Sequence, residues 1–153
     1  MAVNDAIRIL SGTVTTLEGN GSVSSGNGIL VADDADLTTA LVGGRPYGSF
    51  ELTVAFSGAP TAGSAIHLYE RKNHVGETNQ APVVDSTYKH DYIGTFVPDV
   101  AAATQYLKLE GVPICFHGAT YYIEWVDTNG TPVNVSAGWI LKVTPYTYGP
   151  ATA

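Results

Sequence analysis

Between residues 49 and 56 the chain alternates without a break. Phe50, Leu52, Val54 and Phe56 fall on one side, Ser49, Glu51, Thr53 and Ala55 on the other. Successive side chains of a strand point to opposite faces, so this run predicts a strand whose apolar face must pack on a second layer. The same period returns over 65–71, where Ile66 and Leu68 oppose His67 and Tyr69. Shorter runs rich in aromatic and β-branched residues follow at 92–97, 106–109, 121–126 and 139–144. The Pro/Gly-rich link over 57–63 predicts that the first two strands are neighbours. The turn Asp127-Thr128-Asn129-Gly130 predicts a long hairpin between the last two. Pro145 and Pro150 each remove a donor, so the tail 145–150 is not expected to continue as a central strand. Seven to nine short strands, with no helix beyond a turn or two, give an all-β fold: an antiparallel β-sandwich or jelly roll.

Residues 1–34 read as an N-terminal arm or hairpin region ahead of a β-sandwich domain over 35–153. Ile7, Ile9 and Val14 fit a short strand, and Gly19-Asn20-Gly21 and Gly26-Asn27-Gly28 suit the positive φ angles of tight hairpin turns. The same Gly/Ser/Thr-rich stretch fits an arm that orders only on a partner. Asp33, Asp34 and Asp36 precede the apolar Leu37–Val42 stretch and are expected to cap one helical turn; they lack the spaced pattern of a calcium loop. Residues 73–91 show no periodicity. Loops beyond about 12–15 residues are uncommon unless they bind something or are disordered, so this stretch is either a subunit contact or a surface excursion.

Composition sharpens this picture. A chain of 153 residues fits one domain with a core of its own. Only 14% of residues are charged, against about 25% in ordinary soluble domains. That share points to a surface covered by partners or copies, or to one rich in Thr, Ser and Asn. The formal charge is −7 and the basic residues are scattered, so neither nucleic acid nor a membrane surface is an expected partner. Cys115 is the single cysteine, and Met1-Ala2-Val3-Asn4-Asp5 lacks a basic region before an apolar block; synthesis in the cytoplasm is the expectation.

Candidate chemistry is sparse. Cys115 and His117 would face the same way on an extended segment, but no cysteine-enzyme signature surrounds them, and Cys115 reads as a small buried hydrophobe. His67, His74, His90 and His117 have no metal-ligand spacing, so no metal or cofactor is expected. Glu51, Glu70, Glu110 and Glu124 sit on strands and are expected on solvent-facing sides rather than as a glycosidase pair. The Asn129-Gly130-Thr131 and Asn134-Val135-Ser136 acceptor patterns read as coincidental without a secretory segment. Nine Tyr and two Trp could form a sugar-stacking platform, although a sandwich of this size uses most such rings in its core. No catalytic residue is nominated.

Several segments together resemble the small β-sandwich virion proteins of tailed bacteriophages, the capsid decoration or cement proteins. They are Pro46-Tyr47-Gly48-Ser49-Phe50-Glu51-Leu52, Gly63 leading to Leu68-Tyr69, Gly94-Thr95-Phe96, Tyr121-Tyr122-Ile123-Glu124 and Ala137-Gly138-Trp139-Ile140-Leu141. The resemblance covers about two thirds of the chain and leaves out residues 1–34. It implies a non-enzymatic structural role on the exterior of the virion capsid, assembled in the host cytoplasm. The implied partners are the major capsid protein and copies of the chain itself, as a homodimer or homotrimer. Contacts are then expected from Ile7 and Ile9 in the arm and from Asn73, His74, Glu77, Asn79, Gln80 and Asp85 in the loop. A carbohydrate-binding β-sandwich module and a tail- or fibre-associated virion adaptor are the rival readings.

Overall fold

The structure is a computed structural model and describes residues 7–18, 21–26, 28–31, 37–72, 89, 91–128 and 133–150. The described chain forms β1 (Ile7–Ser11), β2 (Thr15–Glu18), β3 (Gly28–Val31), β4 (Leu37–Thr38), the single helical turn α1 (Thr39–Val42), β5 (Tyr47–Val54), β6 (Ala65–Lys72), β7 (Asp91–Phe96), β8 (Gln105–Pro113), β9 (Gly118–Val126) and β10 (Ile140–Pro150). Nine of these strands have four residues or more. Two antiparallel sheets result. Sheet 1 runs β1-β10-β5-β8 with β2 also on β10; sheet 2 runs β3-β9-β6-β7 with β4 also on β9.

The organising strand behaves as its alternation demands. Gly48, Phe50, Leu52 and Val54 of β5 are buried and their neighbours are half-buried. Leu141 and Val143 of β10 share the inner face of sheet 1; Ile66, Leu68, Ile123 and Trp125 form that of sheet 2. Aromatic pairs bridge the layers. Phe50 meets Tyr121 edge-on at 5.0 Å between ring centres, and Phe56 meets Trp125 at 4.9 Å. Each fully buried aliphatic or phenyl side chain contributes about 1.5–3 kcal/mol, so this interlayer contact is the main stabilising term.

Strand neighbours differ from the sequence expectation in two places. β5 and β6 are not paired but lie in opposite sheets, and so do β9 and β10, so the expected long hairpin does not form. The alternating period fixes which side chains point inward, not which strand lies alongside. Both links cross the roughly 10 Å between layers, and Asp127 ties them together. Its carboxylate accepts from the Ser64 hydroxyl at 2.8 Å and from the Val133 N–H at 2.9 Å. The Asp127 N–H in turn donates to the Ser25 hydroxyl at 2.7 Å.

The tail corrects a third expectation. β10 continues through Pro145 to Pro150 and is central, with β5 on one side and β1 and β2 on the other. The reason is a seam. β2 pairs with residues 140–143 and β1 with 146–150, so the neighbouring ladder is interrupted at Pro145. A strand residue's N–H and C=O point to the same side. The Pro145 carbonyl accepts from the Gly12 N–H at the seam, so its missing donor also falls where no strand asks for one.

The helical turn is present, but its cap is Thr38, whose hydroxyl accepts from the Leu41 N–H at 3.4 Å; Gly43, at φ 56°, ends it. Asp33, Asp34 and Asp36 lie outside the described residues.

Candidate functional site

The two outer faces of the sandwich are unlike. On sheet 1, β5 turns Tyr47, Ser49, Glu51 and Thr53 outward, and the register sets Lys142 and Lys108 on either side of Glu51. Lys142 Nζ lies 3.7 Å from the Glu51 carboxylate, with the two side chains 40% and 36% exposed, so the pair is worth at most about 1 kcal/mol. No ion pair engages Lys108 among the described residues. This row floors a shallow depression of about 360 Å³ lined by Val14, Ser49, Phe50, Glu51, Lys108, Lys142 and Thr144. At one end, Tyr47, Tyr146 and Tyr148 form a triangle with ring centres 5.7 to 5.8 Å apart. Ile9 pairs with Tyr148 across the β1–β10 ladder, and the two are 59% and 55% exposed. Tyr106 stands at the opposite end, 68% exposed beside Thr53.

On sheet 2 the outward side chains are consumed internally. Tyr69, Arg71, Thr120, Tyr122 and Glu124 point away from the core yet are all buried. The Tyr69 hydroxyl donates to Glu124 Oε2 at 2.9 Å, the Lys89 ammonium donates to Glu124 Oε1, and the Arg71 guanidinium lies 5.8 Å from the Tyr122 ring centre. Burial pushes the Tyr69 phenol up to about 12, helped by the adjacent Glu124 carboxylate. Burial would raise Glu124 too, but its bonds from Lys89 and Tyr69 outweigh that and hold its pKa below the ordinary value. At the rim, Tyr92 is exposed and its hydroxyl meets Thr95 Oγ1 at 2.7 Å, which His67 Nδ1 also meets at 2.8 Å.

Glu70 has the reverse orientation. It lies on the inner face of sheet 2, 2% exposed, accepting from the Cys115 N–H at 3.0 Å and the Tyr121 hydroxyl at 2.9 Å. Burial raises its pKa above the ordinary value despite those bonds. Glu70 and Lys72 also border a depression of about 400 Å³ at the β7–β8 side, where Lys72 pairs with Asp91. Glu70 and Glu124 are thus buried, not solvent-facing as their strand positions suggest, and they occupy opposite faces of one sheet. Two carboxylates so placed cannot flank a single glycosidic bond. Residues 116–117 form a turn rather than an extended segment, with the Gly118 N–H donating to the Cys115 carbonyl. Cys115 is half-buried against the core and His117 is exposed. Among the described residues no three His, Cys, Asp or Glu side chains converge to hold a metal ion.

Of the contact residues expected from the sequence, Ile9 is exposed on sheet 1, and the backbone of Ile7 pairs with Pro150 at the same edge. Asn73, His74, Glu77, Asn79, Gln80 and Asp85 lie outside the described residues. Sequence reasoning missed the tyrosine triangle and Lys108. The alternation of Tyr146 and Tyr148 was a usable signal, masked by the flanking prolines.

No protein-family model and no curated protein matches the chain. Two solved structures are similar to it. The CBM36-1 domain of a multidomain xylanase from the hindgut metagenome of Trinervitermes trinervoides is 14% identical over 97% of this chain and 100% of its own, with a TM-score of 0.50. A chain of the acidic stable capsid structure of Helicobacter pylori bacteriophage KHP30 is 11% identical over 94% of this chain and 98% of its own, with a TM-score of 0.40. At this identity the likeness to the first speaks for a shared β-sandwich fold and nothing more.

Proposed function

We propose that the chain is a non-enzymatic virion protein, a decoration or cement protein that binds the outside of a phage head and bridges major capsid subunits. The observation that carries this reading is the outer face of sheet 1, which holds Ile9, Tyr106 and Tyr148 in solvent around a polar centre of Ser49, Glu51, Lys108 and Lys142. Ile9 and Tyr148 are paired neighbours and form one exposed apolar group, the kind of patch that a partner covers. A protein that binds only the assembled shell stabilises it over its dissociated parts by mass action, with no chemistry required. The test is copy number: quantitative mass spectrometry of purified particles is expected to find the chain in hundreds of copies per head. A handful of copies would move it to the tail or portal, and absence from particles would overturn the proposal.

The Tyr47–Tyr146–Tyr148 triangle favours a second reading, a carbohydrate-binding module, because clustered rings with hydroxyl edges suit sugar faces. A glycan array in which Tyr148→Ala abolishes a wild-type signal would establish it in place of the first.

A further inference from the structure

We propose, building on the decoration reading, that sheet 1 is the docking face and that its occupant is an acidic protein surface, a carboxylate set among apolar side chains. Three observations lead there. First, sheet 1 has the broader free face among the described residues, since sheet 2 spends Arg71, Tyr122 and Glu124 on contacts within the chain and exposes Tyr92 only at its β7 rim. Second, the centre of this face departs from the acidity of the molecule. The chain carries −7, yet the centre of the face sets two ammonium groups around one carboxylate. Lys142 is held by Glu51, which leaves Lys108 as the open cation of the row. Glu110 is exposed on the β8 rim near Tyr146, and the register sets Glu18 beside Ile140 at the β2 edge, so the surplus of positive charge is confined to the centre. Complementary charge of this kind selects partners and sets register more than it adds affinity.

Third, the dimensions disfavour a self-sufficient pair of copies. From Ile140 to Tyr148 across four strands the face measures about 27 by 14 Å, or about 400 Å². A stable two-protein interface takes about 800 Å² from each partner. A face whose flat outline is this small holds best when the partner repeats its site in a lattice and the chain touches several members at once. Ile9 and Tyr148 at one end and Tyr106 at the other are the apolar anchors, with Lys108 between them.

The experiment titrates labelled chain onto purified heads produced without it. Wild-type protein is expected to bind, and more weakly as salt rises. Lys108→Glu, an exposed change that leaves the core untouched, is expected to raise Kd at least about tenfold. The double variant Ile9→Ser/Tyr148→Ser is expected to lose about as much, while Tyr92→Ser on the opposite face binds as wild type. If wild-type chain binds heads but the sheet 1 variants bind equally well, the docking face is wrong and the decoration reading stands. If wild-type chain does not bind heads, both fall. Binding abolished by a soluble oligosaccharide, or a dimer in sedimentation velocity that Tyr148→Ser dissolves while head binding persists, would also overturn the assignment of an acidic partner.

Discussion

Removing the carboxylate of Glu70 tests how the interior is organised. The group is 2% exposed and takes two donors, the Cys115 N–H at 3.0 Å and the Tyr121 hydroxyl at 2.9 Å. Glu70→Ala strands both, and an unsatisfied buried donor costs about 1–3 kcal/mol, so the expected destabilisation is about 2–6 kcal/mol before any cavity is counted. Glu70→Gln keeps an oxygen in place. It loses the pull of Lys72, whose Nζ is 4.0 Å away on a half-exposed side chain and is worth at most about 1 kcal/mol, and makes the Cys115 and Tyr121 bonds neutral, so it should cost less than Glu70→Ala. The two variants should also differ in pH dependence. Because burial raises the Glu70 pKa above its ordinary 4.5, the folded state holds the proton more tightly than the unfolded chain. This contribution is fully present below 4.5 and is lost as pH rises through the higher folded value. Glu70→Gln has no such loss, so it should gain on wild type across that window. Urea denaturation followed by fluorescence of the buried Trp125 and Trp139 reads both quantities. A wild-type midpoint for Glu70→Ala, or Glu70→Gln running parallel to wild type at every pH, would refute the reasoning.

Three further outcomes are expected. Glu124 has the opposite sign to Glu70: its pKa is held below 4.5, so its stabilisation is present above that value and fades as pH falls through the lower folded one. Glu124→Gln should therefore flatten the acid limb of the stability curve, measured in urea. Gly118→Ala forces a side chain into φ 84° and drives its Cβ into the Leu37 carbonyl oxygen, at a cost above about 2 kcal/mol, or a melting point lower by at least about 4 °C. Phe50→Ala empties the contact with Tyr121 and should cost about 3–5 kcal/mol by chemical denaturation; a loss under about 1 kcal/mol would contradict the interlayer packing.

The faces of the strands were legible in the sequence, because a period of two leaves no choice about which of Phe50 and Glu51 points inward. Neighbours were not. Adjacent strands pair more often than not, so β5–β6 and β9–β10 read as ladders. What sends each pair to opposite sheets is the crossing of their links, pinned by Asp127, and that depends on joining the nearby Val133 to Ser64, which lies far along the chain. The proline rule failed at Pro145 for a related reason: a missing donor matters only where an acceptor waits. Among the residues of the proposed docking face, Ile9 could be picked out from its short apolar run. Glu70 and Glu124 could not be sorted into inner and outer until the β6–β9 register set Glu70 beside Tyr121 and Glu124 beside His67.

The seam at Pro145 divides the amino-terminal edge into two tabs fastened to one long rail. β1 grips residues 146–150 and β2 grips 140–143, with Gly12 the last rung between them. Drawing the amino end outward therefore unfastens β1 alone and halts, because tension reaches β2 only after the slack of residues 12–14 is taken up. Amides of β1 should accordingly exchange with solvent in a separate, earlier step than those of β2. The chain could then surrender β1 and still keep its core closed.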